Sequence, residues 1–229
     1  MASALPAPDP GLAAASGQQA LPHAGQALHL RGGQAVSALV FVTGASGFLG
    51  RHVARQLAAQ GLRVAGTGFD CWFGQDHRDW GLEHWQDGLV SLESLERLAR
   101  DAGEPSAVYH CAGGGDVGYS LSHPREDFQA TVVSTVEVLE FARLRSPGMR
   151  VVYPSSAAVY GAAKTLPLRE DLPPNPISPY GLHKRMAEDL CRNAGARYGV
   201  PVALVRYFSL YGNGLRKQLI WDACTKARA

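Results

Sequence analysis

Residues 40–50 read Val-Phe-Val-Thr-Gly-Ala-Ser-Gly-Phe-Leu-Gly, an apolar run that passes into a turn with three glycines. Residues 39–42 are all aliphatic or aromatic, which is typical of a buried strand. After the turn, Leu49, Val53 and Leu57 recur at the spacing of one helix face. The stretch therefore predicts a strand, a tight turn and a helix in immediate succession.

The three glycines of this turn are spaced three residues apart, and each position favours the absence of a side chain. Gly44 allows a tight turn, Gly47 lets the backbone approach a pyrophosphate, and Gly50 lets the helix pack close to the sheet. The helix then begins with unpaired N–H groups and the positive end of its dipole facing the phosphates. We therefore predict dinucleotide binding rather than a plain turn, with cofactor contacts from Gly44, Ser46, Gly47, Phe48, Leu49 and Gly50.

The composition indicates a globular α/β protein. The 229 residues suffice for one large domain, or for one domain and an incomplete second. Hydrophobic residues make up 46% of the chain, and the net charge of +2 comes without a basic block, which speaks against nucleic acid as a partner. No apolar stretch is long enough to span a bilayer, so no membrane partner is predicted. Residues 1–37 are rich in Ala, Gly, Pro and Gln and are predicted to be a disordered tail.

The four cysteines are scattered along the chain without a C-x-x-C pair. Their spacing predicts neither a metal site nor a disulfide framework. Reduced thiols are typical of the cytoplasm, which is therefore the predicted location.

Strands and helices alternate along the rest of the chain. Segments 71–87 and 164–179 are predicted to be irregular connections, the first packed by its tryptophans. The alternation favours a parallel, doubly wound sheet of the Rossmann type, covered on both faces by helices. Further strands are predicted at 62–69, 107–113, 150–153 and 202–207, and further helices at 92–100, 127–145 and 180–198.

The ribose end of the cofactor site leaves two alternatives open. Asp70, just after the second strand, is a candidate for the ribose hydroxyls, or it simply caps the following loop. Gly68 at the strand end leaves room for a 2′-phosphate, with which Arg51 or Arg78 could pair. NAD and NADP both remain candidates. A second glycine-rich turn, at Ala112 and Gly113, follows a strand where doubly wound sheets bind ligands.

Residues 178–184, Ser-Pro-Tyr-Gly-Leu-His-Lys, carry the candidate chemistry. Tyr180 and Lys184 are four apart, so on a helix they share one face. A tyrosine is a poor base at neutral pH, but a nearby ammonium group would lower its pKa. Ser156, at the end of a strand, could hydrogen-bond the oxygen whose proton Tyr180 takes or supplies. The alternative is a surface Tyr–Lys pair without function.

The motifs together resemble the extended short-chain dehydrogenase/reductase family, and within it the nucleotide-sugar epimerases and reductases. The resemblance covers about residues 38–215. It implies that Ser156, Tyr180 and Lys184 form a catalytic triad, that Ala112, Gly113, Tyr180 and Lys184 border the cofactor, and that Ser156, Phe208 and Ser209 border the substrate. The matching motifs are TGASGFLG (43–50), HCAG (110–113), YPSSAAVYG (153–161), PYGLHK (179–184) and RYFSLYG (206–212).

The resemblance implies hydride exchange between NAD(P) and a sugar carbon of a nucleotide sugar, by an epimerase or a reductase. A dinucleotide-binding module without turnover is the alternative. The resemblance also implies a homodimer formed through helices within 119–145 and 180–198. Residues 38–215 would be the NAD(P)-binding domain, and 216–229 the start of a small substrate lobe that is largely missing.

Several positions depart from the family's usual residues. Thr131 stands where an Asn commonly supports the catalytic lysine, and Ser209 stands where an Asn commonly follows the last strand. Residues 155–157, Ser-Ser-Ala, replace the Thr-Asp-Glu of the dehydratase branch, which disfavours a 4,6-dehydratase because the acid and base for water elimination are lost.

Overall fold

A computed structural model describes residues 37–69, 72, 74–145, 148–163, 166–215 and 217–228. The strands are β1 (Leu39–Thr43), β2 (Arg63–Gly68), β3 (His84–Asp87), β4 (Ala107–His110), β5 (Arg150–Ser156) and β6 (Val202–Tyr207). These six parallel strands form one sheet in the order β3-β2-β1-β4-β5-β6. The order reverses between β1 and β4, so the two halves of the sheet diverge there and leave a crevice at the carboxyl ends of the strands.

Helices cover the sheet and connect its strands. A single turn of π-helix at Gln129–Val133 joins two of them, and short 3-10 turns lie at His77–Trp80 and Ala157–Val159. No helix in the described ranges is long and apolar enough to span a membrane. The helices are α1 (Phe48–Ala59), α2 (Leu92–Ala102), α3 (Val117–Ser122), α4 (Pro124–Phe128), α5 (Ser134–Arg145), α6 (Pro179–Tyr198) and α7 (Gln218–Arg228).

The predicted Rossmann-type, doubly wound α/β fold is confirmed, but three details of the prediction are wrong. Residues 84–87, placed in an irregular connection, form the edge strand β3, which pairs with β2. The helix predicted over 127–145 begins at Pro124 as α4 and is interrupted by the π turn. The strand predicted over 150–153 continues to Ser156, so β5 delivers that serine to the end of the sheet.

The core lies on both faces of β1. All five of its residues are buried, and residues 39–42 alternate between two apolar clusters. Phe41 faces α2, α5 and α6 and stacks on Phe141 with ring centroids 6.1 Å apart. Val40 and Val42 face α1 and the segment that carries Trp72. This two-sided burial explains why residues 39–42 of β1 are all apolar rather than alternating with polar residues.

A buried carboxylate fastens α6 to the far end of the sheet. Glu188 on α6 accepts hydrogen bonds from Ser155 of β5 at 2.6 Å and from Arg192 at 2.7 Å. Arg206 of β6 donates to both of its oxygens, at 2.8 and 2.7 Å. Burial raises the pKa of Glu188, but hydrogen bonds from Arg206, Ser155 and Arg192 outweigh it and hold the pKa below its usual value. The carboxylate is therefore charged and fully partnered.

We expect Glu188→Gln to lower the free energy of unfolding by about 3 kcal/mol, because it leaves the Arg206 guanidinium without its buried counter-charge. Urea unfolding at neutral pH, followed by circular dichroism, measures the change.

Asp189→Asn is the matched control. Asp189 is the next residue on α6 and also contacts Arg192, at 3.0 Å, but it is exposed. Its loss should change the unfolding free energy by less than about 0.5 kcal/mol. Equal effects of the two substitutions would show that Glu188 is not a structural clamp.

Candidate functional site

The glycine turn after β1 is held in shape by close backbone contacts. Gly44 has a φ of +61°, and a Cβ there would lie 2.7 Å from the Ala112 nitrogen. A Cβ on Gly50 would lie 2.2 Å from the Gly44 carbonyl oxygen. A Cβ on Gly47 would lie 3.1 Å from the same oxygen, which is a tight but smaller conflict. The turn therefore brings α1 and the turn after β4 closer to β1 than side chains would permit.

Helix α1 starts without a side-chain cap. Gly47 is its N-cap residue and has no side chain that could accept from the first-turn N–H groups. The first-turn N–H groups have no partner inside the helix, and the residues of this turn, Phe48, Leu49 and Gly50, line the crevice. Ser46 is buried and donates to the Phe69 carbonyl at 2.6 Å, so it holds the glycine turn against the residue that follows β2. Uncapped N–H groups beside a backbone without side chains suit a phosphate.

A buried hydrogen-bond chain supports the second glycine turn. Ala112 N–H donates to Thr43 Oγ1 at 3.2 Å, and Thr43 Oγ1 lies 2.7 Å from His110 Nδ1. His110 Nε2 lies 3.2 Å from Thr135 Oγ1, which donates to the Thr131 carbonyl. Burial lowers the pKa of His110 to about 3, so the ring is neutral. A neutral ring that accepts at Nδ1 and donates at Nε2 satisfies every member of this chain.

Three contacts place Tyr180 at the start of α6. Ser178 caps the helix by accepting from Gly181 N–H, and Tyr180 N–H donates to the buried Ser120 hydroxyl at 3.1 Å. A Cβ on Gly181 would lie 2.6 Å from the Ala158 carbonyl oxygen. Helix α6 therefore packs directly against the turn that follows Ser156. This packing brings the side chains of Ser156 and Tyr180 together.

Lys184 is buried one turn further along α6. Its ammonium group donates to the Pro154 carbonyl at 3.0 Å and lies 5.0 Å from the centroid of the Tyr153 ring. A Cβ on Gly113 would lie 3.6 Å from Lys184 Nζ, so the ammonium also borders the second glycine turn. Burial lowers the pKa of Lys184 to about 8.

The sequence prediction for the pKa of Tyr180 is wrong for this structure. Burial raises that pKa, and a side-chain hydrogen bond with Ser156 lowers it only in part. The Lys184 ammonium lies 5.9 Å from the centroid of the Tyr180 ring and donates to Pro154 instead of the phenol. The phenol is therefore protonated at neutral pH.

Two adjoining cavities run along the carboxyl edge of the sheet. One, of about 690 Å³, is lined by all three predicted catalytic residues, by Gly113, and by the predicted substrate residues Phe208 and Ser209. The other, of about 1810 Å³, extends past Ser46, Ala112 and Gly68. Both include Gly44, Gly47 and Phe48 in their walls. The structure thus brings the predicted catalytic, cofactor and substrate residues to one crevice, apart from Asp70, which lies outside the described residues.

The two arginines considered for a 2′-phosphate lie in different places. Arg51 lines the larger cavity, donates to the Gly214 carbonyl at 3.1 Å, and stacks on Trp80. Its Nε is buried and has no hydrogen-bond partner in the described structure. Arg78 points to solvent and contacts Asp76. Of these two arginines, Arg51 is therefore the one placed to reach a ligand in the cavity.

A carboxylate that sequence reasoning missed also borders the crevice. Asp127 on α4 is buried, and its Oδ2 lies 2.6 Å from Nδ1 of His183 on α6. Thr131, at the position of the family's usual Asn, accepts from Gly114 N–H at 2.9 Å. The one available sequence signal was the position of His183, directly before Lys184 in the predicted motif.

The sequence profile of the NAD dependent epimerase/dehydratase family matches residues 40–223. The chain belongs to this family. The predicted nicotinamide dinucleotide agrees with the NAD dependence in the family's description, and the predicted resemblance to the extended short-chain dehydrogenases is confirmed.

Curated members of the NAD dependent epimerase/dehydratase family include two similar proteins. A UDP-glucose 4-epimerase from Azospirillum brasilense is 37% identical over 179 residues, which cover 78% of this chain and 51% of that protein. A GDP-6-deoxy-D-mannose reductase from Pseudomonas aeruginosa is 32% identical over 186 residues, which cover 79% and 55%. The chain spans about half the length of these relatives.

A solved structure of the same family has the same fold. The UDP-glucose 4-epimerase from Brucella ovis, in complex with NAD, is 30% identical and superposes with a TM-score of 0.65. The match covers 76% of this chain and 52% of that one.

We expect Gly50→Ala to lower the free energy of unfolding by about 2 kcal/mol and to weaken NAD binding, because the new methyl group would displace the Gly44 carbonyl and open the turn. Urea unfolding and calorimetric titration with NAD measure the two effects.

Gly195→Ala is the control, since a Cβ at this position in α6 would lie 3.4 Å from the nearest atom, the Val200 carbonyl oxygen. It should leave NAD binding unchanged and stability unchanged or slightly higher. Normal NAD affinity and stability in Gly50→Ala would refute the role assigned to the close contact.

Proposed function

We propose that the chain is the NAD(P)-binding and catalytic part of an epimerase or reductase that acts on a nucleotide sugar by hydride transfer. The observation that carries the proposal is the meeting of Ser156, Tyr180 and Lys184 in one cavity with the uncapped start of α1. Family membership supports the reaction class, and the names of the similar epimerase and reductase support the substrate class.

Tyr180 is the proposed proton-transfer residue. In an epimerase it removes the proton of a sugar hydroxyl, and in a reductase it donates a proton to a sugar carbonyl. Ser156 hydrogen-bonds the same substrate oxygen and the Tyr180 phenol, so it aligns the proton path. Because burial raises the pKa of Tyr180, positive charge supplied at the site is needed to make the phenolate accessible.

Lys184 supplies part of that positive charge. Its ammonium group lies 5.9 Å from the centroid of the Tyr180 ring and is held there by its hydrogen bond to the Pro154 carbonyl. In the proposal it also hydrogen-bonds the ribose next to the nicotinamide. In the proposal, Phe208 and Ser209, which follow β6 and line the same cavity, border the sugar.

The described residues fit a dinucleotide, because Gly44, Gly47 and Gly50 line the crevice with bare backbone beside the uncapped start of α1. The first turn of α1 would hold the pyrophosphate, and Gly113 and Ala112 would lie along the nicotinamide side. When bound, NAD or NADP accepts or supplies the hydride. Water is kept from Lys184 by the packing of Tyr153 and Tyr180 around it.

We expect Tyr180→Phe to lower turnover of the accepted nucleotide sugar by about 10²–10⁴-fold, because the general acid–base group is lost. Affinity for NAD, NADH, NADP and NADPH, measured by calorimetric titration, should stay within a few-fold of the parent. The same titrations establish which of the four cofactors the site prefers.

Tyr198→Phe, an exposed tyrosine at the other end of α6, is the control and should leave turnover intact. Loss of cofactor binding in Tyr180→Phe would mean that Tyr180 is structural. Failure of the unchanged chain to bind any of the four cofactors would overturn the proposed function.

We also propose that the chain forms a homodimer through α5 and α6, as the resemblance implies. Large apolar side chains are exposed along both helices: Val136 and Leu144 on α5, and Leu182 and Met186 on α6. Exposed apolar side chains at helical spacing on neighbouring helices suit a four-helix contact with a second copy.

The cytoplasmic location indicated by the cysteines stays a prediction.

We expect light scattering to give the mass of a dimer for the unchanged chain at micromolar concentration, and of a monomer for Val136→Glu, because a carboxylate would be buried in the contact. Leu166→Glu, at a position exposed outside both helices, should remain dimeric. A monomeric parent chain would contradict the proposal.

A further inference from the structure

Asp127 is buried in a way that its local structure does not explain. Only 1% of the residue is exposed, and its Oδ2 lies 2.6 Å from His183 Nδ1. Its other oxygen, Oδ1, is buried without a hydrogen-bond partner in the described structure. An unpartnered carboxylate oxygen in the interior is unfavourable, so a group retained there calls for a specific reason.

The unpartnered oxygen faces the same turn as the Lys184 ammonium. A Cβ on Gly114 would lie 1.9 Å from Asp127 Oδ1, and a Cβ on Gly113 would lie 3.6 Å from Lys184 Nζ. Both of these Cβ positions would also lie within 3.5 Å of Thr131 Oγ1. The carboxylate and the ammonium therefore flank two consecutive glycines, and no side chain from that turn separates them.

The other titratable groups around Lys184 do not offer a counter-charge. Burial lowers the pKa of His110 to about 3 and raises those of Cys111 and Cys191 to about 12, so all three are neutral at physiological pH. Burial likewise raises the pKa values of Tyr153 and Tyr180. Glu188, one turn further along α6, is already occupied by Arg192 and Arg206.

We propose that the Asp127 carboxylate, held in place by His183, is a positioning group that supplies a fixed negative charge beside Lys184 and keeps its ammonium protonated. The proposal rests on the function proposed above, because it gives Asp127 its purpose through the catalytic role of Lys184. It assigns no contact between Asp127 and the substrate.

His183 has a mechanical part in this arrangement. Its Nδ1–H donates to Asp127 Oδ2, and its ring packs edge-on against Phe128 with the centroids 5.4 Å apart. The ring thereby turns Oδ1 toward the glycine turn and links α4 to the residue directly before Lys184. His183 and Lys184 are neighbours on α6, so a shift of this helix would move the Lys184 ammonium together with the His183 N–H group that holds Asp127.

The same carboxylate acts on the proton-transfer residue. Asp127 raises the pKa of Lys184, partly offsetting burial, and it also raises the pKa of Tyr180. Removing the Asp127 carboxylate should therefore lower the pKa values of both Lys184 and Tyr180. A residue with a purely structural role would lower activity without moving either midpoint.

We expect Asp127→Asn to lower the titration midpoint of Lys184 from about 8 by about one pH unit, a tenfold change in proton affinity. NMR of isotope-labelled lysine side chains against pH, without cofactor or substrate, measures the midpoint. The chain has four lysines, so the Lys184 signal can be assigned by its loss in Lys184→Met.

Glu126→Gln is the matched control, because it removes a carboxylate from the adjacent, exposed position of α4. It should leave the Lys184 midpoint unchanged. An unchanged midpoint in folded Asp127→Asn, or an equal shift in Glu126→Gln, would overturn the inference.

His183→Ala keeps the result decisive if Asp127→Asn does not fold. This variant leaves Asp127 Oδ2 without the donor that holds it, so the Lys184 midpoint should fall in the same direction as in Asp127→Asn. An unchanged midpoint in the folded variant would overturn the inference.

The measurement is independent of turnover. A chain without activity but with the expected shift would refute the proposed function and keep the electrostatic link. An active chain in which Asp127→Asn leaves the midpoint unchanged would refute the link alone.

Discussion

Lys184 is almost fully buried, and the surrounding elements are arranged to offset the cost of desolvating its ammonium group. The Pro154 carbonyl accepts one of its protons, the Tyr153 ring faces it, and a carboxylate lies across the second glycine turn. These partners come from β5 and α4, so the position of one charged atom depends on how both pack against α6. Glu188, one turn beyond Lys184, fastens α6 to β5 and β6 and fixes the depth at which the ammonium lies.

The crevice has two ends of different physical character. At the end proposed for the cofactor, glycine backbones and helix N–H groups form the walls, so the shape depends on the absence of side chains. At the end proposed for catalysis, hydroxyl, phenol and ammonium groups are gathered from β5 and α6. The neutral His110 ring and the hydroxyl groups of Thr43 and Thr135 support the second glycine turn without adding charge.

Local signals were enough to predict the strand–turn–helix at residues 39–59 and the parallel sheet, because turn glycines and apolar periodicity act within a few residues. Strand β3 was missed because His-Trp-Gln-Asp at an edge has neither apolar alternation nor length. The Asp127–His183 pair joins residues 56 apart and has no local pattern. The pKa of Tyr180 was misjudged because helical spacing gives the neighbour but not the burial.

The contact between Gly44 and Ala112 bears on any attempt to redesign the cofactor preference of this scaffold. Two loops that are far apart in the chain touch through their backbones, and Gly68 at the end of β2 would place a Cβ 3.2 Å from the Gly44 Cα. A loop exchanged singly from another dinucleotide-binding protein would therefore meet unmatched neighbours. The three strand-end segments form one transplantable unit, and a library that varies them jointly would sample far more foldable sequences than one that varies each in turn.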